Sequence, residues 1–516
     1  MKLTKLGLAI TLLTGATVAQ QALALDLYVD SKTQQIYAEP GKGRVKLGAF
    51  EKVEDTAAKK AEADAQKAEI QQIKEDLALK NNELKALDEH MKTAEEYKVK
   101  VDKGGLQAQS SDGKYKFKLG GRIHADAAYS NNDDLVTTSS RTNAPTTTHT
   151  ESNDGTYIRR ARMRFEGVFD KDWLFRTEAD FADDAVNMKD IFIQYTGLNW
   201  GRVTVGQQKQ NFSRELQESS NDLMFMERSL MDVLNTDTVD RAIGLNFESN
   251  GKGLVTSDDA WVAKLGIFGN SIKPSRTTGT EIANAGDEGW AVSSRVIYNP
   301  ILEKDKLIHL GVAGNYRTPD DTGDVAESKA LQYRYRTSNN QTNLTVLDSH
   351  SITDVDNLKM LGLEASGMYG PFYAGGEFTQ SWISRKDGSD DVTFNGWYGE
   401  AAWSITGESR SYKEGNFGYL KPKNKFSLKN GTWGAWELAT RWSEVNLNDG
   451  TVAPAGVPGG IMSQLTVALN WYINENVRFM ADYNRNFNYT RPNVKTTEGQ
   501  DPDSLNTFML RGQVAF

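Results

Sequence analysis

Between residues 157 and 166 the chain reads Tyr157-Ile158-Arg159-Arg160-Ala161-Arg162-Met163-Arg164-Phe165-Glu166. In extended backbone, successive side chains point to opposite faces. Arg160, Arg162, Arg164 and Glu166 then share one face, and Ala161, Met163, Phe165 and Phe169 the other. A guanidinium is planar, always charged, and donates two hydrogen bonds at fixed geometry, which suits the oxygens of phosphate-like anions. A row of such groups can hand an anion from one fork to the next. The same arginines could instead pair with Glu166, Glu178 and Asp180 and simply wet a general pore. The sequence leaves both readings open. Arg122, Arg176 and Arg202 have the same parity on neighbouring segments. Strict alternation turns Arg159 outward, unless it sits at the strand mouth or a bulge turns it in.

Other chemistries find little support. Cysteine is absent, which removes disulfides, thiol catalysis and cysteine-held metals. The five histidines stand at 90, 124, 149, 309 and 350, with no paired metal-ligating motif among them. No G-x-S-x-G motif supports acyl chemistry. No catalytic residue, metal ligand or cofactor is therefore expected. A formal charge of −9 leaves no basic excess to grip nucleic acid. It does not fix the local sign inside a cleft.

The elements that would position the arginines follow from patterning. Lys2 and Lys5, the apolar run Leu6–Val18 and the small-x-small triplet Ala22-Leu23-Ala24 form an export signal over 1–24, cleaved after Ala24. No later run approaches the 18 apolar residues of a spanning helix, which excludes a helical inner-membrane protein. A short segment, 25–53, precedes a stretch from 54 to 100 rich in good helix formers. There Ile70, Ile73, Leu77, Leu84, Leu87, Met91 and Ala94 fall on a and d heptad positions, with Lys80 interrupting. That seam predicts a long coiled-coil helix, and Ile at both a and d leans towards three strands.

After Gly104-Gly105 the periodicity changes from 3.5 to 2. In 114–129, Tyr115, Phe117, Leu119, Ile123, Ala125, Ala127 and Tyr129 alternate with Lys116, Lys118, Arg122, His124 and Asp126. The pattern recurs over some 400 residues with aromatics near strand ends. It predicts sixteen antiparallel strands closed as a transmembrane barrel over 112–516. Short turns such as Gly370-Pro371 alternate with long polar loops at 131–154, 318–358, 407–431 and 446–459, expected together on the outer side. The last strand alternates Phe508, Leu510 and Val514 with Met509, Arg511 and Gln513, and its terminal Phe516 resembles the signal read by outer-membrane assembly machinery. The insertion Gln208–Asp240 is too apolar for an ordinary surface loop and is expected to fold into the lumen.

In order along the chain, Leu119-Gly120-Gly121-Arg122-Ile123-His124-Ala125-Asp126, Tyr157–Phe165, Lys189-Asp190-Ile191-Phe192-Ile193-Gln194-Tyr195, Val205-Gly206-Gln207-Gln208-Lys209, Phe225-Met226-Glu227-Arg228 and Asp240-Arg241-Ala242-Ile243-Gly244 resemble the phosphate-selective porin O and P family. The resemblance covers about 112–516. It implies a homotrimer of sixteen-stranded barrels in the outer membrane of a Gram-negative bacterium, passing phosphate or polyphosphate through an arginine-lined constriction. By motif, Arg122, Arg159 and Arg160 would contribute constriction contacts, with Asp190 beside them. Ser219 and Ser220 resemble the hydroxyl pair of the inward loop. Asn221 stands where a lysine would be expected, with Lys209 and Arg214 as compensating cations. The stalk would stand in the periplasm and could touch peptidoglycan or a periplasmic partner. The competing readings are a general porin and a barrel-anchored tether or adhesin.

Overall fold

The computed structural model describes the chain from Leu25 onward, except 51–55, 95–96, 103, 133–134, 140–145, 151–153, 183–185, 270–287, 320–330, 340–344, 387–388, 451–456, 491–493, 497–501 and 503–504. The expected export signal lies outside the described residues. The chain divides into two compact units, one ending at Ala94 and one running from Glu95 to Phe516.

The first unit holds a small antiparallel sheet of Leu25–Asp30, Ile36–Tyr37 and Arg44–Phe50, followed by one helix, α1, Thr56–Ala94. Ile70, Ile73, Leu77, Leu84, Leu87 and Met91 are all more than half exposed on α1. The helix ends earlier than the expected 100. Tyr97-Lys98-Val99-Lys100-Val101-Asp102 alternates and carries two β-branched residues, and it forms a strand paired with Gly105–Ser110. That hairpin is laid on the start of the barrel, with Leu106 opposite Leu119. Gly105 has φ +91°, and a Cβ there would meet the Leu119 carbonyl at 2.0 Å, so no other residue fits this approach.

The second unit is a closed barrel of sixteen strands. They are β1 Lys116–Asn132, β2 Gly155–Phe169, β3 Trp173–Asp180, β4 Asn187–Leu198, β5 Gly201–Lys209, β6 Arg241–Lys252, β7 Ala260–Phe268 and β8 Ala291–Leu302. The ring continues with β9 Lys306–Arg317, β10 Val355–Tyr369, β11 Phe372–Arg385, β12 Val392–Ser404, β13 Ala435–Asp449, β14 Val457–Tyr472, β15 Val477–Thr490 and β16 Leu505–Ala515. Each pairs antiparallel with the next, and β16 pairs with β1 from Leu505 opposite Asn132 to Ala515 opposite Arg122. Phe516 completes the seam, exchanging backbone hydrogen bonds of 2.7 and 3.0 Å with Gly121. No edge is left open, as lipid requires.

The apolar parity faces outward. Ile123, Met163, Phe165, Leu363, Leu469 and Leu510 are exposed while their neighbours Arg122, Glu364, Asn470 and Arg511 are buried. Trp173, Trp200, Phe372, Trp403 and Trp433 stand exposed near the short turns, with Trp382 and Trp290 near the opposite end, as interfacial girdles do.

Two expectations about the connections need correction. The loop 318–358 is not simply a polar surface loop: Tyr333, Val346 and Leu347 from it join Phe212, Leu216, Leu230 and Leu234 of the Gln208–Asp240 insertion in the largest buried apolar cluster. The connection containing 407–431 is not on the long-loop side. β12 runs towards the same end as β2 and β10, so its following loop shares the end that carries the short turns and Phe516. Loop length alone does not reveal sidedness; strand count does.

Lipid solvates the outward face, so a charge near mid-strand there should be costly. Leu363→Arg, in the middle of β10, should destabilise the barrel by about 2–4 kcal/mol in urea unfolding from lipid vesicles.

Candidate functional site

The insertion between β5 and β6 folds into the lumen. It carries two short helices, α2 Arg214–Gln217 and α3 Asp232–Val239. Ser213 starts α2 in a left-handed conformation (φ 55°), its hydroxyl accepting from Leu216 N at 3.2 Å. One side of the barrel holds this loop. On β11, Glu377 accepts from Arg214 N and Glu215 N at 2.9 and 2.7 Å. On β13, Arg441 donates to the Glu215 carboxylate at 2.9 Å and the Glu227 carbonyl at 3.0 Å. Asn470 on β14 and Arg478 on β15 each reach a loop carbonyl at 2.8 Å, Met224 and Leu223 respectively.

The space left over lies against the other wall. It is a cavity of about 400 Å³ lined by β1–β7 and the inner edge of the loop. Eleven arginine and lysine side chains line it against four carboxylates, so its field is positive although the whole chain is acidic. Arg122, Arg159, Arg160, Arg162, Arg164, Asp190, Lys209, Ser219 and Ser220 all lie on it.

Arg159 reaches the lumen through a β-bulge. Arg160 sits opposite His124, but Ile158 sits opposite Ala125, so Arg159 is the extra residue of β2 and turns inward. It meets Glu227 of the loop in a two-fork pair at 2.8 and 2.9 Å. Arg511 of β16 also donates to Glu227, at 3.0 Å, and grips Asp126 of β1 through two bonds of 2.7 Å. Arg160 has no carboxylate in hydrogen-bond range. Glu227 is 3.7 Å away, His124 Nδ1 is 3.5 Å away, and its buried Nε has no partner. Arg122 donates to Ser219 and Ser220 at 3.2 and 2.9 Å and to Glu178 at 3.2 Å.

Farther along the row the arginines are paired, except Arg164, which has no carboxylate in hydrogen-bond range. Arg162 bonds Asp180 at 2.7 Å and Glu178 at 3.1 Å. Arg164 stands 3.7 Å from Glu166, and Arg176 pairs with the same carboxylate at 2.6 Å. Asp190 bridges Arg241 at 2.8 Å and Arg176 at 3.5 Å. The two sequence readings of the row thus coexist: the arginines line the cavity, and most carry a carboxylate partner.

A sequence model of the phosphate-selective porin O and P family matches residues 117–516. The chain belongs to this family. It is an outer-membrane porin of a Gram-negative bacterium, forming a channel. Porin O of Pseudomonas aeruginosa is 28% identical over 437 residues, which covers 80% of this chain and 91% of that protein. Among solved structures, a loop-deletion mutant of OmpT from Vibrio cholerae aligns with TM-score 0.45 at 9% identity, covering 78% of this chain and 100% of that one. OprB of Pseudomonas putida aligns with TM-score 0.44 at 9% identity, covering 78% and 94%.

Two of the porin's expected site residues do different work. Arg214 is not a pathway residue. It is fully buried behind the loop, bonded to Glu218 at 2.9 Å, Glu400 at 2.8 Å and Tyr398 Oη at 2.7 Å. Lys209 lines the cavity, but its ammonium is committed to the carbonyls of Leu216, Gln217 and Glu218 at 2.6, 3.2 and 2.9 Å. It ties the end of α2 to β5. Asn221 Oδ1 accepts from His124 Nε2 at 3.1 Å. Sequence reasoning assigned no role to Glu227, Arg241, Lys189 or Arg511. The first three stand inside motifs that were visible, and Arg511 has inward parity, but Glu227 and Arg511 find their partners far away in the chain.

Glu227 is the loop's own counter-charge to Arg159, Arg160 and Arg511. Glu227→Gln keeps the side chain's shape and removes the charge. The reversal potential under a KCl gradient should shift further towards the chloride equilibrium potential.

Proposed function

We propose that the channel prefers anions and passes phosphate or polyphosphate, with Arg122, Arg159, Arg160, Ser219 and Ser220 forming the narrow region and Arg162, Arg164 and Asp190 lining the path beyond it. The observation that carries this reading is the one-sided cavity with eleven cationic side chains against four acidic ones. There the hydroxyls of Ser219 and Ser220 and the Arg160 guanidinium, whose nearest carboxylate is 3.7 Å away, face the cavity and suit an oxyanion. Carboxylates held within the row prevent a trap, since conduction requires an ion to leave as well as to bind. Lys209 and Arg214 act as positioning residues for the loop. The protein works as a channel and not as an enzyme.

The same pairing supports a second reading. Carboxylates against Arg159, Arg162, Arg176 and Arg241 favour a general porin whose anion preference is weak. A planar-bilayer measurement separates the two. Chloride preference with block by phosphate at low concentration fits the phosphate role, and Arg160→Ala should then weaken the block roughly ten-fold, the worth of one charged hydrogen bond. A large conductance that prefers cations or ignores phosphate keeps the porin and removes the phosphate role. The absence of any conductance favours the tether or adhesin.

The assembly in this reading is a homotrimer, with residues 1–24 removed on export and α1 forming a three-stranded coiled coil in the periplasm, available to peptidoglycan or a periplasmic protein. The exposed seam from Ile70 to Met91 supports it, because apolar residues at heptad spacing bury themselves best against copies of the same helix. Leu77→Asp with Leu84→Asp should lower the temperature at which the detergent-solubilised protein loses its helical circular dichroism, and that temperature should no longer depend on protein concentration.

A further inference from the structure

The connection between β12 and β13 leaves the end of the barrel that bears the short turns, yet it folds inward. Its hairpin pairs Arg410–Lys413 with Asn416–Leu420. The tip, Lys413-Glu414-Gly415-Asn416, has φ 48° at Glu414 and 87° at Gly415, a tight turn that suits a two-residue hairpin loop. The hairpin is fixed at its base and along its length. Arg410 forms two bonds with Glu437 of β13 at 2.9 and 2.6 Å and reaches the Asp222 carbonyl of the inward loop at 3.0 Å. Phe417 N donates to Glu218 of the same loop at 3.0 Å. Arg295 of β8 donates to the Gly415 carbonyl at 3.1 Å.

So held, the tip crosses the lumen. Glu414 meets Arg202 at 2.7 Å, close to the first residue of β5 and so at the short-turn end of the arginine wall. Arg202 also pairs with Glu248, which in turn faces Lys264 at 3.4 Å. Glu248 and Lys264 are both lining residues of the cationic cavity. The hairpin therefore stands where the cavity opens towards the periplasm.

We propose that the Arg202–Glu414 ion pair at the tip of this hairpin, at the periplasmic end of the channel, sets the charge that the anion meets on its way out. Glu414 accepts from one terminal nitrogen of Arg202, Nη2, which also donates to Glu248. It takes up part of that arginine's donor set and places a negative charge beside the opening. The pair is about a quarter exposed on each side, so salt can screen it. The surrounding contacts, not the tip pair, hold the hairpin in place, so the tip charge can be removed without releasing the segment.

The test uses the whole protein in planar bilayers. In Glu414→Gln, single-channel conductance in 0.1 M KCl should rise roughly two-fold and the current–voltage curve should become asymmetric, with the difference shrinking in 1 M KCl as screening shortens the reach of the charge. A second arm exploits the absence of cysteine in the chain. Lys413 is 84% exposed at the tip, so Lys413→Cys should leave the fold intact. A methanethiosulfonate reagent added on the periplasmic side should then reduce the current within each channel, and the unmodified protein should not respond. Unchanged conductance and symmetry in Glu414→Gln, or an unaltered current after labelling at 413, would overturn the proposal. If Glu414→Gln yields no channels, labelling at 413 decides alone. Both arms read KCl current, so they stand or fall separately from phosphate block.

Discussion

The channel depends on which wall holds the inward loop. Glu377, Arg441, Asn470 and Arg478 on β11 to β15 fix its backbone and its carboxylates. Behind them, an apolar cluster that includes Phe212, Leu216, Tyr333 and Leu347 fills that half of the barrel. A sixteen-stranded barrel is wide enough for a broad aqueous channel. Here part of that width is packed like a protein interior, and the cationic cavity lies in the strip along β1 to β7. In the proposed reading, an ion that follows this strip comes within reach of the guanidinium row.

Electrostatics within the strip is a matter of partial neutralisation. A bare arginine row would bind an oxyanion and hold it. The carboxylates Glu178, Asp180, Glu166 and Asp190 each take up part of an arginine's donor set and lower the local potential in steps. Pairing also keeps the side chains straight and ordered, which limits the entropy lost when an anion settles between them. Arg160 and Arg164 depart from this rule: each has its nearest carboxylate at 3.7 Å and a buried, unpartnered Nε.

Much of the barrel was legible because lipid enforces a simple code. An outward residue must be apolar, and so Ile123, Met163, Phe165 and Leu469 betray each strand's phase without knowledge of its neighbours. The strand number and the inward arginines followed from that phase. The loop's interior contacts could not be read the same way. Glu227 finds Arg159 at a separation of 68 residues and Arg511 at 284. Arg214 looks like a pathway cation in sequence, yet Glu218 and Glu400 capture it behind the loop. Lys209 likewise spends its charge on carbonyls. Whether a basic residue serves solute or scaffold depends on partners that the local pattern does not specify. The inward hairpin after β12 is a different kind of miss. Counting strands would have placed it on the short-turn side, but its length suggested the other.

Arg511 joins two tasks that are usually separate. It bonds Asp126 across the seam between the last and first strands, and it bonds Glu227 at the tip of the inward loop. The closure of the ring and the position of the inward loop are therefore linked through a single guanidinium.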